Sequence, residues 1–305
     1  MTEVKEVKGY VGNFEVKLLK RARYVDEAEC TACGDCAAVC PVVRPDEYNM
    51  GLSSRKAIYM PFPQAVPSSY VINASECLGH NPAVCSKCVE ACKKECINFH
   101  MSDQEISVKV GTVVVATGAE PYDPTEMDEY GYTRFQNVLT SMEFERLVNA
   151  GGPTLGEVIR PGDRKRPASI GFVQCVGSRS LSKGGEYCSN ICCMNTVKST
   201  LLLKEHYPDI DIKVFYIDIR AFGKGFEDLY LRSRRLGVHY LRGLPGSVLE
   251  LPDGSLRVAV ENSAAGKVER YDLDMLVLSV GLKPPKDIRS IQEALGLQVT
   301  RDGFF

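Results

Sequence analysis

The sequence predicts an α/β fold with paired dinucleotide-binding-type domains and a separate cysteine-rich α+β module. Two segments predict the pairing: GTVVVATGAEP (111–121) and DMLVLSVGLKP (274–284) are apolar strands that each end close to a glycine. A buried strand that stops at a glycine lets a cofactor or a helix approach its backbone closely, here at Thr117 and Gly118. A strand–helix–strand pattern, from ASIGFVQCVG to DIKVFYIDI, lies between the two segments.

The composition narrows the class of protein. The chain has 305 residues and a formal net charge of −2, a balance that gives no support to a nucleic-acid or anionic-membrane partner. MTEVKEVKGYVGNFEVK lacks the apolar core of a signal peptide, and no apolar run is long enough to span a bilayer. We therefore expect a soluble, cytoplasmic protein. In that reducing compartment its thirteen cysteines, which fall in two dense groups, are expected to bind metal.

The run CTACGDCAAVCPV has the spacing of a bacterial ferredoxin. Cys30, Cys33, Cys36 and Cys40 are separated by gaps of two, two and three residues, and Pro41 follows. In such a run three thiolates hold one [4Fe-4S] cluster and the fourth reaches a second cluster. Zinc is the alternative, but zinc sites usually pair two short cysteine knuckles instead of a continuous run of four cysteines.

The partner run, CLGHNPAVCSKCVEACKKEC, contains one cysteine more than a second cluster needs. Its last two standard gaps are reproduced by Cys85, Cys88 and Cys92, with Cys77 as a first ligand displaced by a short insertion. Lys93 stands where the standard run has proline, so a second assignment with Cys96 in place of Cys77 stays open. The crossed rule predicts these ligand sets: Cys30, Cys33, Cys36 and Cys92 for the first cluster, and Cys77, Cys85, Cys88 and Cys40 for the second.

The segment ASIGFVQCVGSRS predicts the first strand and turn of a nucleotide-binding βαβ unit. Phosphate binding there requires G-x-G-x-x-G, and the turn has only Gly177, so nicotinamide binding is not expected. The following helix is expected to begin at about Cys188, where an anionic cluster would be stabilised by the helix N-terminus. Buried, inert thiols are the alternative. Four cysteines predict a third [4Fe-4S] cluster: Cys175, Cys188, Cys192 and Cys193.

Lys198 follows this cysteine group on the predicted helix. Five residues beyond Cys193 it is about 140° round the helix, so it is not expected to be a ligand. A solvated helix charge is the alternative for such a lysine.

Taken together, several motifs resemble the A subunit of heterodisulfide reductase, an iron-sulfur flavoprotein of methanogens and other anaerobes. They run along the whole chain: CTACGDCAAVCPV, RKAIYMPFPQAVP, VVVATGAEP, FVQCVGSR, YCSNICCMNTVK and FYIDIRAFGKGFE. The resemblance implies a thioredoxin-reductase-like FAD protein that carries an inserted ferredoxin module, and it implies electron bifurcation at the flavin. It implies a cluster close to the flavin at the third cysteine group, and Lys198 beside the isoalloxazine ring. The implied partners are the B and C subunits of heterodisulfide reductase, a hydrogenase or formate dehydrogenase, and ferredoxin, in a hetero-oligomeric complex.

The resemblance also sets the expected domain organisation. The chain lacks the family's N-terminal G-x-G-x-x-G and its C-terminal Gly-Asp segment, so it reads as a central portion with an incomplete FAD site. The polar segment RPGDRKRP (160–167) is the candidate boundary. The expected domains are a partial FAD domain (1–25 and 104–160), the two-cluster ferredoxin domain (26–103), a degenerate nucleotide-binding-like domain with the third cluster (166–285), and a return to the FAD domain (286–305).

Three functions are consistent with these patterns. An electron-transfer subunit is the first hypothesis. An NAD(P)H-dependent flavin oxidoreductase is the second, and the turn at Gly177 argues against it. A non-catalytic scaffold braced by its clusters is the third.

Overall fold

A computed structural model describes residues 1–80 and 84–305, which form two compact units. The first unit comprises residues 1–117, 287–300 and 305, and the second comprises 118–286 and 301–304. The segment 160–167, predicted to be a linker, lies inside the second unit. Its Arg160 is buried and forms ion pairs with Asp163 and Asp274, at 3.1 and 3.0 Å. This polar segment is therefore held within the second unit by the ion pairs of a buried arginine.

Most strands of the described residues belong to two larger sheets and a meander. In chain order they are β1 (Thr2–Tyr10), β2 (Asn13–Lys20), β3 (Arg44–Pro45), β4 (Ser54–Arg55), β5 (Ile58–Tyr59), β6 (Val71–Ile72), β7 (Gln104–Val110), β8 (Glu120–Pro121), β9 (Val138–Thr140), β10 (Ser169–Val176), β11 (Asp211–Tyr216), β12 (His239–Arg242), β13 (Pro245–Glu250), β14 (Leu256–Asn262), β15 (Lys267–Leu273), β16 (Met275–Val280) and β17 (Leu282–Lys283).

Most helices are short. They are α1 (Asp35–Ala38), α2 (Lys87–Ala91), α3 (Ser141–Val148), α4 (Cys192–His206), α5 (Phe226–Arg235) and α6 (Ile288–Leu295), with 3-10 turns at Pro124–Glu126 and Asp128–Tyr130. Within the described part of the chain, none has the length and apolarity needed to cross a membrane.

An antiparallel sheet of three strands, in the order β1-β2-β7, frames the first unit. Its first hairpin begins at Thr2 and turns after Tyr10. Gly9 and Gly12 have φ values of +106° and +91°, and a Cβ on Gly9 would lie 2.2 Å from the Asn13 carbonyl oxygen. These glycines permit the tight return of the chain.

The cysteine-rich module lies between β2 and β7 and has little regular structure. Its small core consists of Val25, Ile58, Ile72 and Ile97 packed together with cysteines. Asp103 joins the two ends of the module, since it accepts hydrogen bonds from the Ala22 N–H at 2.8 Å and from Arg21 at 2.6 Å. Apolar packing contributes little to this module, and the cysteines occupy the centre of it.

The prediction of a buried strand at GTVVVATG is wrong for this structure. Residues 112–119 are not in a strand, and Val114 is 84% exposed. An apolar segment becomes a buried strand only when neighbouring strands satisfy its backbone hydrogen bonds. Among the described residues no strand pairs with this segment.

The second unit is built on a parallel five-stranded sheet in the order β12-β11-β10-β16-β9. The α/β prediction and its strand–helix–strand unit are therefore confirmed, and β12-β11-β10-β16 follows the 3-2-1-4 order of doubly wound nucleotide-binding folds. β13, β14 and β15 form an antiparallel meander between β12 and β16 in the sequence, with a turn at Asp253–Gly254. The strands bury residues such as Phe215, Leu256 and Leu276 completely.

The helix that carries the third cysteine group starts later than the sequence predicted. α4 begins at Cys192, so Cys188 lies in the preceding loop and does not share a helical face with Cys192. Asn190 has a φ of +58°, a left-handed conformation that a helix cannot contain. Ser178 holds this loop, because its hydroxyl donates to the Tyr187 carbonyl oxygen at 2.8 Å and accepts from the Ser189 N–H at 3.3 Å.

Candidate metal centres

Five cysteines from two distant segments surround one cavity in the first unit. The cavity has a volume of about 270 Å³, and Val25, Tyr70 and Ile97 also line it. The cysteines that line it are Cys30, Cys33, Cys36, Cys92 and Cys96.

The backbone around the first three of these cysteines is tightly wound. Ala32 and Gly34 have φ values of +57° and +91°, which turn the chain around the cavity before α1 begins. Each gap of two residues thus contains one left-handed residue, and the resulting turns bring the three thiols to the same cavity.

Four other cysteines form a second group in the same unit: Cys40, Cys77, Cys85 and Cys88. The charges of Cys77, Cys40 and Cys85 each act on Cys88, and Ile58 and Ile72 cover the group. The two groups exchange their last members, because Cys40 leaves its own run for the second group and Cys92 joins the first. The crossed rule predicts the same grouping of cysteines for a two-cluster ferredoxin.

The structure separates the two candidates for the remaining ligand. Cys77 lies in the second group, whereas Cys96 lies in the first, with its Sγ 3.4 Å from the Sγ of Cys92. The sequence alternative, in which Cys96 replaces Cys77, therefore has no geometric support. The insertion after Cys77 includes residues 81–83, which lie outside the described residues.

Burial and backbone contacts act on these thiols in opposite directions. Burial raises the pKa of Cys36 to about 12 and that of Cys88 to about 11. Burial also acts on Cys92, but the Cys96 thiol and the N–H groups of Cys96, Lys94 and Glu95 lower the pKa of Cys92 overall. The thiolate is the form of cysteine that binds metal. The contacts of this backbone turn therefore favour the thiolate form of Cys92.

A third group of thiols lies in the second unit, at the carboxyl end of β10 and the start of α4. It consists of Cys175, Cys188, Cys192 and Cys193. Burial first, and then the charges of the other three, raise the pKa of Cys192 to about 12. Cys192 Sγ is 3.6 Å from the Val280 carbonyl oxygen, at the end of β16. The four thiols are therefore neighbours, although Cys188 comes from a loop and not from the predicted helix.

This third group occupies the position where doubly wound folds bind ligands. β10 is flanked by β11 on one side and β16 on the other, so the chain reverses direction across the sheet at β10. Ligands bind outside the carboxyl ends of the strands at such a switch point. Gly177 has a φ of +70°, and a Cβ there would lie 2.2 Å from the Tyr122 ring. A tyrosine ring thus packs against the turn that would cradle a pyrophosphate.

Arg179 is a site residue that sequence reasoning missed. Its guanidinium forms an ion pair with Asp218 at 2.5 Å and a hydrogen bond with the Cys175 sulfur, which opposes the rise in the Cys175 pKa caused by burial. The side chain of Arg179 is 22% exposed. The only sequence signal was its place in FVQCVGSR, two residues after the turn glycine.

The predicted flavin contacts lie in both units. Lys198 lies on α4 and donates to Glu145 Oε1 at 2.6 Å, so its charge is neutralised by a carboxylate of α3. Thr117 is the last residue of the first unit and Gly118 the first of the second, and both are exposed. Their contacts with a flavin stay predictions.

Over residues 1–80 and 84–305, no group of three or more His, Cys, Asp or Glu side chains is arranged to hold one metal ion. A cubane cluster binds each thiolate on a separate iron, so its ligands surround a volume instead of converging on one point. All thirteen cysteines are free thiols. Fold and site together define the chain as an α/β protein with three candidate iron-sulfur centres.

Comparison with known proteins shows which proteins the chain is similar to. Over 303 residues, 99% of the chain, it is 46% identical to the A subunit of H2:CoB-CoM heterodisulfide,ferredoxin reductase of Methanothermobacter marburgensis. It is 45% identical to the iron-sulfur A subunit of CoB–CoM heterodisulfide reductase of Methanocaldococcus jannaschii, and 47% identical to the A subunit numbered 2 of Methanopyrus kandleri. Along 99% of its length the chain is therefore similar to heterodisulfide reductase A subunits, which confirms the resemblance. It spans 45–46% of the length of these relatives.

Comparisons with family models and with solved structures are less informative. No family model matches the chain. A thioredoxin reductase of T. acidophilum is 9% identical with a TM-score of 0.38, and the match covers 67% of this chain and 54% of that chain. A likeness at that level carries no argument about fold or function.

Proposed function

We propose that the chain is an electron-transfer component of a heterodisulfide reductase-type oxidoreductase, and that three [4Fe-4S] clusters pass electrons to and from FAD. The observation that supports this most directly is spatial. Cysteines that are up to 66 positions apart in sequence, Cys30 and Cys96, meet at one cavity, and the other eight form two further groups.

The proposed ligands follow from the three groups. The first cluster would be held by Cys30, Cys33, Cys36 and Cys92, the second by Cys40, Cys77, Cys85 and Cys88, and the third by Cys175, Cys188, Cys192 and Cys193. When bound, such clusters supply one-electron transfer at potentials that the protein sets through hydrogen bonds, charge and solvent exposure.

The surroundings of the third group suit a redox centre. Cys192 and Cys193 lie at the start of α4, where the helix N-terminus favours the negative charge of a thiolate-bound cluster. Arg179 adds a cation beside Cys175. These groups stabilise negative charge, and negative charge increases when a cluster is reduced.

The flavin and the partners are inferred from the family. We propose that FAD binds with the participation of Thr117, Gly118 and Lys198, and that bifurcation takes place at this flavin. The relatives are named for reactions with H2, formate or ferredoxin, so hydrogenase or formate dehydrogenase, ferredoxin, and the B and C subunits of heterodisulfide reductase are the proposed partners in the cytoplasm.

An NAD(P)H-dependent flavin oxidoreductase is less well supported. The turn after β10 has the single glycine Gly177, and the Tyr122 ring packs directly against it. No backbone cradle for pyrophosphate is formed by this turn.

Iron and flavin stoichiometry of the chain purified without oxygen tests the proposal. Three cubane clusters require about twelve irons per chain, at four each. A Cys175→Ala variant should retain about eight. A wild-type chain with about eight irons, unchanged by Cys175→Ala, would remove the third cluster from the proposal. Redox-titrated EPR separates electron transfer from a scaffold role, because clusters that only brace the fold need not be reduced at physiological potentials.

A further inference from the structure

The first cysteine group contains one thiol more than a four-iron cluster needs. Cys96 is 7% exposed and lines the same cavity as Cys30, Cys33, Cys36 and Cys92. Its sulfur lies 3.4 Å from the sulfur of Cys92. A thiol buried at this place touches a proposed ligand of the cluster.

The backbone holds Cys92 and Cys96 together as a pair. Cys92 follows directly after α2, and the Glu95 N–H donates to the Cys92 carbonyl oxygen at 3.0 Å in a turn where Glu95 has a φ of +51°. The Asp26 N–H donates to the Cys96 carbonyl oxygen at 2.7 Å, which anchors the far end of the turn. The two sulfurs therefore stay in contact without a change in the fold.

The chemistry of a cubane lets only one of the two thiols bind the cluster at a time. Each iron takes one thiolate, so two sulfurs in contact are presented to the same corner of the cluster. The two sulfurs are within hydrogen-bonding distance of each other, and either can be the donor. Cys92 has the ligand spacing of the ferredoxin pattern, so Cys96 is the second thiol at that corner.

We propose that Cys96 is a substitute ligand of the first cluster, which lies in contact with Cys92 while Cys92 binds iron and takes over that iron when Cys92 is released. In the exchange one iron–sulfur bond breaks and another forms, and the Cys96 proton moves to the Cys92 sulfur. No electron is gained or lost. The inference rests on the proposed function, since it requires a cluster at the first site.

Alanine variants of the full chain, purified without oxygen, test the exchange. Wild type and Cys96→Ala should both contain about twelve irons, at four for each of three clusters. Cys92→Ala should also retain about twelve, with an altered EPR signal for one cluster, because Cys96 replaces the lost ligand. The double variant should fall to about eight. Cys36→Ala is the matched control: Cys36 is buried in the same cavity and should lose its four irons as a single variant.

Three results would overturn the inference: Cys92→Ala already at about eight irons, Cys96→Ala alone at about eight, or a double variant that keeps all twelve. If wild type itself lacks the first cluster, then the proposed function fails together with the inference. If wild type contains the cluster and Cys92→Ala loses it, only the inference fails, so the two failures are distinguishable. Should Cys92→Ala not fold, Cys92→Ser with and without Cys96→Ala gives the same comparison. A loss of four irons on adding Cys96→Ala supports the exchange, and no loss contradicts it.

Discussion

Gly177 lies in the turn after β10, and the Tyr122 ring packs directly against it. Its φ of +70° is a conformation that residues with a side chain rarely adopt, and the Tyr122 ring lies where a Cβ would project. Gly177→Ala is therefore expected to destabilise the folded state by about 2 kcal/mol or more, from backbone strain and overpacking together. Chemical denaturation monitored by circular dichroism measures the change.

Gly246 provides the matched control for this prediction. It lies in β13 of the same unit, and a Cβ there meets nothing within 4 Å. Gly246→Ala should change the free energy of unfolding by no more than about 0.5 kcal/mol, as is usual for surface positions. Equal losses in the two variants would contradict the role given to the Tyr122 contact.

Arg179 is expected to set the potential of the third cluster. Its guanidinium touches the Cys175 sulfur and stabilises the extra negative charge of the reduced state. Arg179→Gln should make reduction up to about tenfold less favourable, which lowers the midpoint potential by up to about 59 mV for one electron. Redox-titrated EPR measures this potential while iron content stays at the wild-type value.

Arg220→Gln is the control for Arg179. Arg220 pairs with the same carboxylate, Asp218, at 3.6 Å, but it reaches Cys193 through its backbone N–H, which the substitution preserves. Its midpoint potential should remain that of wild type. A shift as large as that of Arg179→Gln would assign the effect to Asp218 and not to the contact with Cys175.

At the scale of elements, the cysteine-rich module and the parallel sheet differ in what stabilises them. The module packs few apolar residues, among them Val25, Ile58 and Ile72, around its cysteines. The sheet buries whole strands, since every residue of β16 is buried. Where cluster ligands form the centre of a module, the free energy of metal binding is also free energy of folding.

Removal of iron by a chelator should therefore unfold the module selectively. Hydrogen exchange measured by mass spectrometry is expected to show loss of protection over residues 26–103, while β10, β11 and β16 keep theirs. Protection of the module that is unchanged after complete iron removal would show that its few apolar contacts suffice.

The elements also show which sequence patterns are reliable. The apolar strands at 169–176 and 275–280 formed because each has a parallel neighbour on both sides. The similar segment 112–119 has none among the described residues and lies exposed. Apolarity shows that a segment can form a buried strand, and whether it does so depends on neighbouring strands that pair with it. The start of α4 was misplaced by four residues because a left-handed Asn190 cannot be read from its residue type.

At the scale of the whole molecule, the three proposed one-electron centres and the filled turn at Gly177 set the expected redox behaviour. Dithionite should reduce the clusters of the anaerobic chain by up to about three electrons, one for each cluster and apart from any taken up by FAD. NADH and NADPH should leave its visible spectrum unchanged, because the turn at Gly177 is filled by Tyr122. Absorbance titration measures both, and bleaching by NADH alone would revive the NAD(P)H-dependent alternative.

The sequence by itself determined which cysteines are candidate ligands. Cysteine spacing predicted the ferredoxin run, the crossed ligand sets and the third group, because short gaps between cysteines are local and do not depend on the arrangement of the rest of the chain. Tertiary structure decided what depends on distant segments. It placed Cys77 in the second group and Cys96 in the first, brought Arg179 to Cys175, and placed Tyr122 against Gly177. Such contacts depend on how separate segments pack, so only the folded chain brings them together.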